Sequence, residues 1–186
     1  MNNWKKIWNK EPLPMGSNTQ SVLQSLITKD GFNTGYGTIS EEAWLKYISY
    51  VEDKLLLNNT KSIYEVGCGA GAFLYPFYKN GYKVGGIDYS DSLIKEAHKY
   101  MDATFEIGEA INITDIPLYD TVISNSVFFY FPSYQYAEKV LSLMVKKATK
   151  LKTILQNSKV LNLEIKSPEQ IYKLSQQNKN NLYVVF

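Results

Sequence analysis

The sequence predicts an α/β fold, a doubly wound and mostly parallel sheet with helices on both faces. Strand-like runs alternate with helix-like runs from Lys61 onward, and a glycine-rich turn follows the first strand. Strands that alternate with helices build parallel sheets whose two faces are covered. Because 186 residues are enough for one good hydrophobic core, we expect a single domain.

The first third of the chain is predicted to be helical. Asn18 is placed to cap a helix that runs to about Lys29, and Ser40 opens a second helix that runs to about Leu56. The segment DGFNTGYGTI between them has the glycines of a flexible loop. We therefore expect residues 1–57 to form a helical cap or lid.

The central part contains four predicted parallel strands with helices between them. The strands are KSIYEV, YKVGGID, ATFEI and YDTVIS, and the helical run GAGAFLYPFYKN, which Gly81 closes, joins the first two. Ser90 is placed to cap a helix over SLIKEAHKYM, and a proline-serine pair opens another helix through about Ala148. Residues 61–148 are the expected βαβ core.

The pattern weakens after Lys150. LKTIL and KVLNLEI are competing strand candidates, SPEQIYKLSQQ has a proline-led helix start, and NLYVVF is the predicted final strand. The segment is polar and rich in lysine, and no glycine follows Gly108. We expect residues 149–186 to be an atypical or shortened end of the fold.

Charge composition bears on the class of partner. All 20 basic side chains are lysines, and residues 1–145 carry 12 Lys against 16 acidic residues whereas 146–186 carry 8 against 2. The main body is mildly acidic and lacks the guanidinium groups that form paired hydrogen bonds with phosphate. Both features argue against nucleic acid as a partner. A solvated basic surface explains the lysine-rich tail better than a nucleic-acid-binding arm does.

Composition also indicates where the protein works. No run approaches the roughly 18 apolar residues that span a bilayer, and the start MNNWKKIWNK lacks the apolar stretch of a secretory signal. A single cysteine, Cys68, excludes a disulfide framework and a cysteine-rich zinc site. We expect a cytoplasmic protein with no membrane attachment.

A glycine-rich turn after the first strand is the most informative motif. Gly67, Gly69 and Gly71 alternate within YEVGCGAGAF, and glycines at such a turn let the backbone approach a ligand closely. Asp88 ends the second strand 17 residues after Gly71, where a carboxylate can bind ribose hydroxyls. Glu65 would repel a pyrophosphate, but it suits an ammonium group or a role in fixing the turn. The expected ligand is a nucleoside joined to an amino acid.

These motifs resemble those of class I S-adenosylmethionine-dependent methyltransferases. The matching stretches are EVGCGAG, GIDYS, GEA and YDTVISNSVF, and the resemblance covers residues 61 to about 131. It implies a Rossmann-like methyltransferase fold that binds S-adenosylmethionine and releases S-adenosylhomocysteine. The resemblance also implies a role for each site residue. Glu65 would orient the turn, and the methionine part would be lined by Gly67, Cys68, Gly69 and Gly71. The ribose and adenosine would be met by Asp88, Tyr89 and Ser90, the adenine by Glu109 and Ala110, and the methionine and the acceptor by Asn125 and Ser126.

An aromatic series, FFYF at 128–131, directly follows the last of these motifs. It suits core packing, but we expect one ring to face the substrate. We choose Tyr130, because its hydroxyl can orient or deprotonate an acceptor and its ring favours a sulfonium cation. A hydroxyl acceptor also needs a base, for which Tyr130, Tyr36, Asp30 and Glu41 are candidates, whereas an amine acceptor needs less help.

Several other residues have plainer interpretations. His98, the only histidine, falls on a solvated helix face, and Cys68 suits a small packing residue better than a reactive thiol. Tyr36 and Trp44 are placed to close over the cofactor, although Trp44 also suits ordinary helix packing. The acidic residues form no obvious metal-binding trio, so we expect no metal.

The sequence thus predicts a methyltransferase, a monomer or homodimer, that methylates an oxygen or nitrogen atom of a small molecule. An alternative is a sensor or partner subunit that binds S-adenosylmethionine with weak or no activity, since the polar tail is short of the closing strands usual in the family. An NAD-dependent oxidoreductase is a third possibility, which the position of the third glycine disfavours.

Overall fold

Helices and strands alternate along the chain in the computed structural model, which describes residues 20–32, 39–55, 57, 61–149, 154–156, 159–161 and 182–185. The helices are α1 (Val22–Lys29), α2 (Glu41–Leu55), α3 (Leu74–Lys79), α4 (Asp91–Tyr100) and α5 (Tyr134–Lys147). The strands are β1 (Ser62–Val66), β2 (Lys83–Asp88), β3 (Thr104–Ile107), β4 (Thr121–Asn125), β5 (Ile154–Gln156), β6 (Lys159–Leu161) and β7 (Leu182–Val185). Short 3-10 turns cover Ala110–Asn112 and Phe128–Tyr130.

The described strands form one sheet in the order β3-β2-β1-β4-β7-β5-β6. Strand β1 pairs in parallel with β2 and β4, and β2 pairs in parallel with β3. Strand β7 runs antiparallel to both β4 and β5, and β6 runs antiparallel to β5. The predicted doubly wound fold is confirmed. The winding reverses at β1, and ligands of such sheets bind at the carboxyl ends of the strands at that point.

The described helices pack on both faces of the sheet. Leu26 of α1, Val51 of α2 and Phe77 of α3 belong to one buried cluster, whereas Val140 and Met144 of α5 belong to a cluster on the other face. The described part of the N-terminal helices therefore shares a hydrophobic core with the sheet. The division into a cap, a core and a C-terminal segment stays a prediction.

Two helix starts differ from the sequence prediction. Helix α1 begins at Val22, because the Ser21 side chain accepts the Gln24 N–H at 3.0 Å and so takes the capping role predicted for Asn18. Helix α3 begins only at Leu74 rather than within GAGAF, because the preceding glycines have left-handed backbones that no α-helix contains. The caps predicted at Ser90 and Ser133 are confirmed, since each hydroxyl accepts a backbone N–H.

Both strand candidates after Lys150 are present, as β5 and β6, and the final predicted strand is present as β7. The helix predicted over SPEQIYKLSQQ lies outside the described residues. Among the helices that the structure describes, none has the length and apolar character needed to cross a bilayer.

A buried lysine lies between α5 and the sheet. Lys147 Nζ donates to the Thr114 carbonyl at 2.8 Å and lies 4.3 Å from the centre of the Tyr64 ring. The Tyr64 hydroxyl donates in turn to the Glu106 carboxylate at 3.0 Å. Burial lowers the pKa of Lys147, and the negative charges of Glu106 and Asp115 oppose that effect. We call Lys147, Tyr64, Thr114 and Glu106 the lysine cluster.

Candidate active site

The glycine-rich turn leaves the carboxyl end of β1 with a left-handed backbone. The φ angles of Gly67, Gly69 and Gly71 are 77°, 54° and 87°, values that side-chain-bearing residues rarely adopt. A Cβ atom on Gly67 would lie 2.3 Å from Cγ2 of Val127, which follows β4. Glycine at position 67 is therefore required both by the backbone conformation and by the close approach of the two strand ends.

Asp88 ends β2 with its carboxylate directed at this turn. One oxygen accepts the Gly69 N–H at 3.0 Å, and the other accepts the Ser90 N–H at 2.8 Å. The residue is only 9% exposed, and burial raises the pKa of its carboxyl group while the backbone N–H groups oppose that rise. The strand end and two backbone amides thus hold the carboxylate in one orientation.

Glu65 is more deeply buried, at 3% exposure, inside β1. Its Oε2 atom has no hydrogen-bond partner among the described residues. Burial raises the pKa of this carboxyl group well above its ordinary value, and the nearby charges of Asp30 and Asp88 raise it further. A buried acceptor without a donor is costly, and a bound group that carries N–H donors would satisfy it.

Asp30 is the third acidic residue at this turn, and it comes from the N-terminal helix α1. It caps the carboxyl end of α1, and its two oxygens accept the backbone N–H groups of Ala70 and Ala72 at 2.5 and 2.9 Å. Burial raises the pKa of Asp30 to about 7, the two amides lower it, and the charge of Asp88 raises it. We call Asp30, Glu65 and Asp88 the anionic pocket. No lysine among the described residues pairs with any of these three carboxylates.

A second hydrogen-bonding residue, Trp44, connects the N-terminal helices to the glycine-rich turn. The indole Nε1 of Trp44, in α2, donates to the Ala72 carbonyl at 3.0 Å, and the side chain is buried. Ring contacts with Phe32 and Tyr47 surround it. Trp44 is thus a packing residue of the turn, and Tyr36, the other residue expected to close over the cofactor, lies outside the described residues.

Strand β4 brings two further candidates to the same edge. Asn125 is buried at the end of β4, and Ser126 has a left-handed φ of 59° and donates its hydroxyl to the Asn125 side chain at 2.9 Å. A non-glycine residue in this conformation stores backbone strain, which is common beside ligands. Sequence reasoning missed Ser124, whose hydroxyl donates to the Val66 carbonyl at 3.0 Å and satisfies the end of β1.

Tyr130 ends the short 3-10 turn that follows β4. Burial raises its pKa, and burial also raises the pKa of Tyr89 to about 12, with the charges of Asp88 and Tyr130 contributing. A tyrosine hydroxyl is already protonated at neutral pH, and the raised pKa of Tyr130 makes it harder still to ionise, so it serves better as a hydrogen-bond donor than as a base.

Glu109 and Ala110 continue this edge beyond β3. The Gly108 N–H donates to the Asp88 backbone carbonyl at 2.9 Å, which fixes the start of their segment against β2. Glu109 itself is exposed, and its carboxylate accepts the Tyr136 hydroxyl at 3.4 Å. The turn that begins at Ala110 therefore lies on the far side of Asp88 from the glycines.

Some other candidates have structural surroundings that do not suit catalysis. His98 is exposed, as predicted, and its ring contacts Phe105 edge-on. Cys68 is buried, and burial followed by the charges of the neighbouring acids raises the pKa of its thiol, which disfavours a reactive thiolate. Glu41 accepts the Ser21 hydroxyl at the start of α2. Among the described residues, no group of three potential metal ligands occurs, and the expected metal independence stays a prediction.

The sequence of the central part has a known counterpart. Residues 63–149 match the family model described as a methyltransferase domain. The match covers just under half of the chain and confirms, over that range, the predicted resemblance to methyltransferases. The matched range begins inside β1 and ends after α5, so it contains the predicted cofactor residues and Tyr130, whereas the candidate bases Asp30, Tyr36 and Glu41 precede it. Among curated proteins, no sequence matches the chain.

Solved structures resemble this chain in fold. DesVI of Streptomyces venezuelae is 19% identical with a TM-score of 0.52, and the match covers 58% of this chain and 48% of DesVI. CalS10, an amino pentose methyltransferase from Micromonospora echinaspora solved with S-adenosylmethionine, is 14% identical with a TM-score of 0.53 over 73% of this chain and 55% of CalS10. The chain thus spans about half the length of these two proteins.

A third solved structure matches this chain over nearly the whole length of both proteins. It is the magnesium protoporphyrin IX methyltransferase of Synechocystis PCC 6803 with bound S-adenosylmethionine, 17% identical with a TM-score of 0.52. The match covers 91% of this chain and 98% of that protein. At such identities the likeness is one of fold, so the chemistry has to be argued from the side chains of the site.

Proposed function

We propose that this chain binds S-adenosylmethionine at the carboxyl edge of β1, β2 and β4 and transfers its methyl group to an oxygen or nitrogen atom of a small molecule. One observation carries the proposal. The anionic pocket gathers two buried carboxyl groups, Glu65 and Asp88, and the partly buried Asp30 around a glycine turn, without a lysine partner among the described residues. A ligand that joins a ribose to a positively charged amino acid fits both parts of that arrangement.

The cofactor residues are proposed from their positions around the turn. Asp88 binds the ribose hydroxyls, and the unpartnered Oε2 of Glu65 accepts a hydrogen bond from the ammonium group. The backbone of the turn gives the methionine part room, because a side chain at Gly67 or Gly69 would collide with Val127 or Asp30. The remaining proposed contacts are Cys68 and Gly71 in the turn, Tyr89 and Ser90 after β2, Glu109 and Ala110 after β3, and Asn125 and Ser126 after β4.

Methyl transfer needs mainly alignment. Bound S-adenosylmethionine supplies an electrophilic methyl carbon, which bonds to the acceptor atom while the carbon–sulfur bond breaks and the sulfur keeps the electron pair as a neutral thioether. The acceptor atom loses its proton to water or to a nearby base. Holding donor and acceptor in line accounts for much of the rate of such a step.

Tyr130 is the proposed residue for orienting the acceptor. Its hydroxyl stays protonated because burial raises its pKa, so we assign it hydrogen bonding to the acceptor and not proton abstraction. Asp30, another candidate base, uses both oxygens to hold backbone amides. An amine acceptor, which can lose its proton without strong help, is therefore favoured over a hydroxyl.

The proposed acceptor is a small molecule. Two proteins of similar fold are methyltransferases of an amino pentose and of magnesium protoporphyrin IX, both small molecules. The likeness in fold supports a small molecule as the class of acceptor, and the low identity means that it indicates no particular compound. The absence of arginine and the mildly acidic body also make a nucleic acid a poor partner.

The test measures transfer of a labelled methyl group from S-adenosylmethionine into a panel of amines, hydroxylated metabolites and porphyrin carboxylates. Asp88→Ala is expected to lower transfer by about a hundredfold or more, since it removes a charged hydrogen-bonding group. Asp120→Ala is the control, because Asp120 also accepts backbone N–H groups but lies at the amino ends of β1 and β4. Undiminished transfer by Asp88→Ala would contradict the assigned site.

Calorimetry with S-adenosylmethionine and S-adenosylhomocysteine separates the enzyme from a binding protein without chemistry. Binding of both with no transfer to any member of a broad panel would favour the sensor or partner subunit. Absence of binding to either would contradict the proposed cofactor.

A further inference from the structure

Asp30 is the one member of the anionic pocket that comes from outside the βαβ core. It lies at the end of α1, 40 residues before Ala70, yet it holds two amides of the glycine turn. Its Oδ1 atom also fills the space beside Gly69, where a Cβ atom would lie 2.3 Å away. The Asp30 carboxylate therefore forms part of the wall of the turn that the ligand is proposed to occupy.

The two backbone amides that Asp30 holds are not available to bind another anion. Free backbone N–H groups at a glycine turn commonly bind a carboxylate or phosphate. Here the Ala70 and Ala72 amides already have a carboxylate acceptor. The amino-acid end of a bound ligand has one carboxylate and one ammonium group, so the anionic pocket repels the first and attracts the second.

A second observation points to a cation in the same place. Glu65 Oε2 is buried and has no partner among the described residues, and the charge of Asp30 acts on this group more strongly than that of Asp88. Asp30 holds the Ala70 and Ala72 amides of the turn that directly follows the strand of Glu65, so both carboxyl groups lie at the same turn. A group with several N–H donors and a positive charge would meet the needs of both carboxylates.

We propose that Asp30 is a specificity-determining residue of the cofactor pocket, which with Glu65 holds the ligand's ammonium group inward and directs the ligand's carboxylate away from the glycine turn. This inference rests on the proposed function, since it concerns the same ligand. It adds an N-terminal residue that the methyltransferase motifs do not contain.

A simpler role for Asp30 makes a different prediction. If Asp30 only braced the glycine turn, its loss would weaken every adenosine ligand to the same extent. If it holds the ammonium group, its loss weakens only ligands that have an amino-acid end.

The first test measures dissociation constants by calorimetry for wild type and Asp30→Asn. The probes are S-adenosylmethionine, S-adenosylhomocysteine and 5′-methylthioadenosine, which lacks the amino-acid end. We expect binding of the first two to weaken about tenfold or more, as for loss of a charged hydrogen bond, and binding of the third to change less than about twofold. Asp120→Asn, which alters a carboxylate that holds the Lys61 and Ser62 amides at 2.8 and 3.1 Å, should leave all three unchanged.

The second test uses the wild-type protein alone, so it does not depend on the folding of a variant. N-acetyl S-adenosylhomocysteine keeps the carboxylate and loses the ammonium charge, whereas the methyl ester does the reverse. We expect the acetylated compound to bind about tenfold or more weakly than S-adenosylhomocysteine, and the ester to bind within about threefold.

The outcomes separate this inference from the proposed function. If wild type binds none of the three probes of the first test, the proposed function fails and this inference fails with it. If wild type binds them but Asp30→Asn weakens all three equally or none at all, the inference alone is wrong. A stronger loss for the ester than for the acetylated compound would also overturn it.

Discussion

The anionic pocket and the lysine cluster both bury charged side chains, but only the lysine cluster contains the opposite charge. Lys147 has the Thr114 carbonyl, the Tyr64 ring and the negative charge of Glu106 around it. In the anionic pocket the charge of Asp88 raises the pKa of Asp30, and the charges of Asp30 and Asp88 raise the pKa of Glu65. One oxygen of Glu65 has no partner among the described residues.

The difference separates a structural role from a ligand-binding one. A buried charge whose partners come from the same chain is satisfied in the folded protein and needs no ligand. A buried charge without such partners lowers the stability of the ligand-free protein, and a ligand of opposite charge relieves that cost. Four measurements would sharpen or break this comparison.

The largest effect is expected from Gly69→Ala in the anionic pocket. The new Cβ atom would lie 2.3 Å from Asp30 Oδ1 on a backbone with φ of 54°. We expect the free energy of unfolding to fall by about 2–4 kcal/mol, from the left-handed backbone and the overlap together, and S-adenosylmethionine binding to be lost.

The matched control is Gly81→Ala, whose φ is 83° but whose Cβ atom would meet nothing within 4 Å. Urea unfolding should show a loss of about 1–2 kcal/mol from the backbone term alone, and calorimetry should show unchanged ligand binding. Equal destabilisation by the two variants would mean that Asp30 does not pack closely against Gly69.

The next effect is a gain of stability from Glu65→Gln in the ligand-free protein. Because the pKa of Glu65 is raised in the fold, wild type loses stability as pH rises above the ordinary value of 4.5. The amide removes that loss, so its advantage should be absent near pH 4.5 and grow to about 1–3 kcal/mol near pH 8, while S-adenosylmethionine binds about tenfold more weakly.

Thermal and urea unfolding across this pH range measures the difference. Glu106→Gln is the control from the lysine cluster, where the carboxylate accepts the Tyr64 hydroxyl and stabilises Lys147. That variant should not gain stability at any pH. A pH-independent effect of Glu65→Gln would break the comparison.

A smaller effect is expected from Lys147→Met in the lysine cluster. The substitution keeps an apolar chain of similar length but leaves the Thr114 carbonyl without its donor. We expect unfolding to become about 1–2 kcal/mol easier, with the affinity for S-adenosylmethionine unchanged. A changed affinity would show that the two sites are coupled.

The smallest effect is the release of a fraction of a proton when the cofactor binds. Asp30 has a pKa of about 7 with Glu65, Cys68 and Asp88 around it, and a bound cation favours its charged form. Calorimetry near pH 7 in two buffers of different ionisation enthalpy measures the released proton. Asp30→Asn should release less, and equal release by both proteins would assign the proton to Glu65 or Asp88.

The sequence was sufficient to predict the parallel core and the residues at its carboxyl edge. Short-range patterns carry that information, because Gly67, Gly69 and Gly71 follow a strand directly and Asp88 ends the next one. Helix caps at Ser90 and Ser133 are local as well, since a hydroxyl and the amide it caps lie within three residues.

Long-range contacts could not be predicted in this way. Asp30 was noted only as a possible base, because nothing near it in sequence indicates that it holds amides 40 and 42 residues away. The unpaired state of Glu65 depends on the whole set of side chains around it. The late start of α3 was missed because the apolar pattern of GAGAF suits a helix, whereas the left-handed glycines require a turn.

The fluorescence of Trp44 can report on the glycine-rich segment. Its indole N–H is bonded to the Ala72 carbonyl, while the other tryptophans of the chain are Trp4 and Trp8. Replacing those two by phenylalanine leaves one emitter attached to the glycine-rich segment. Stopped-flow fluorescence of that protein would then follow the segment in real time as a nucleoside enters or leaves.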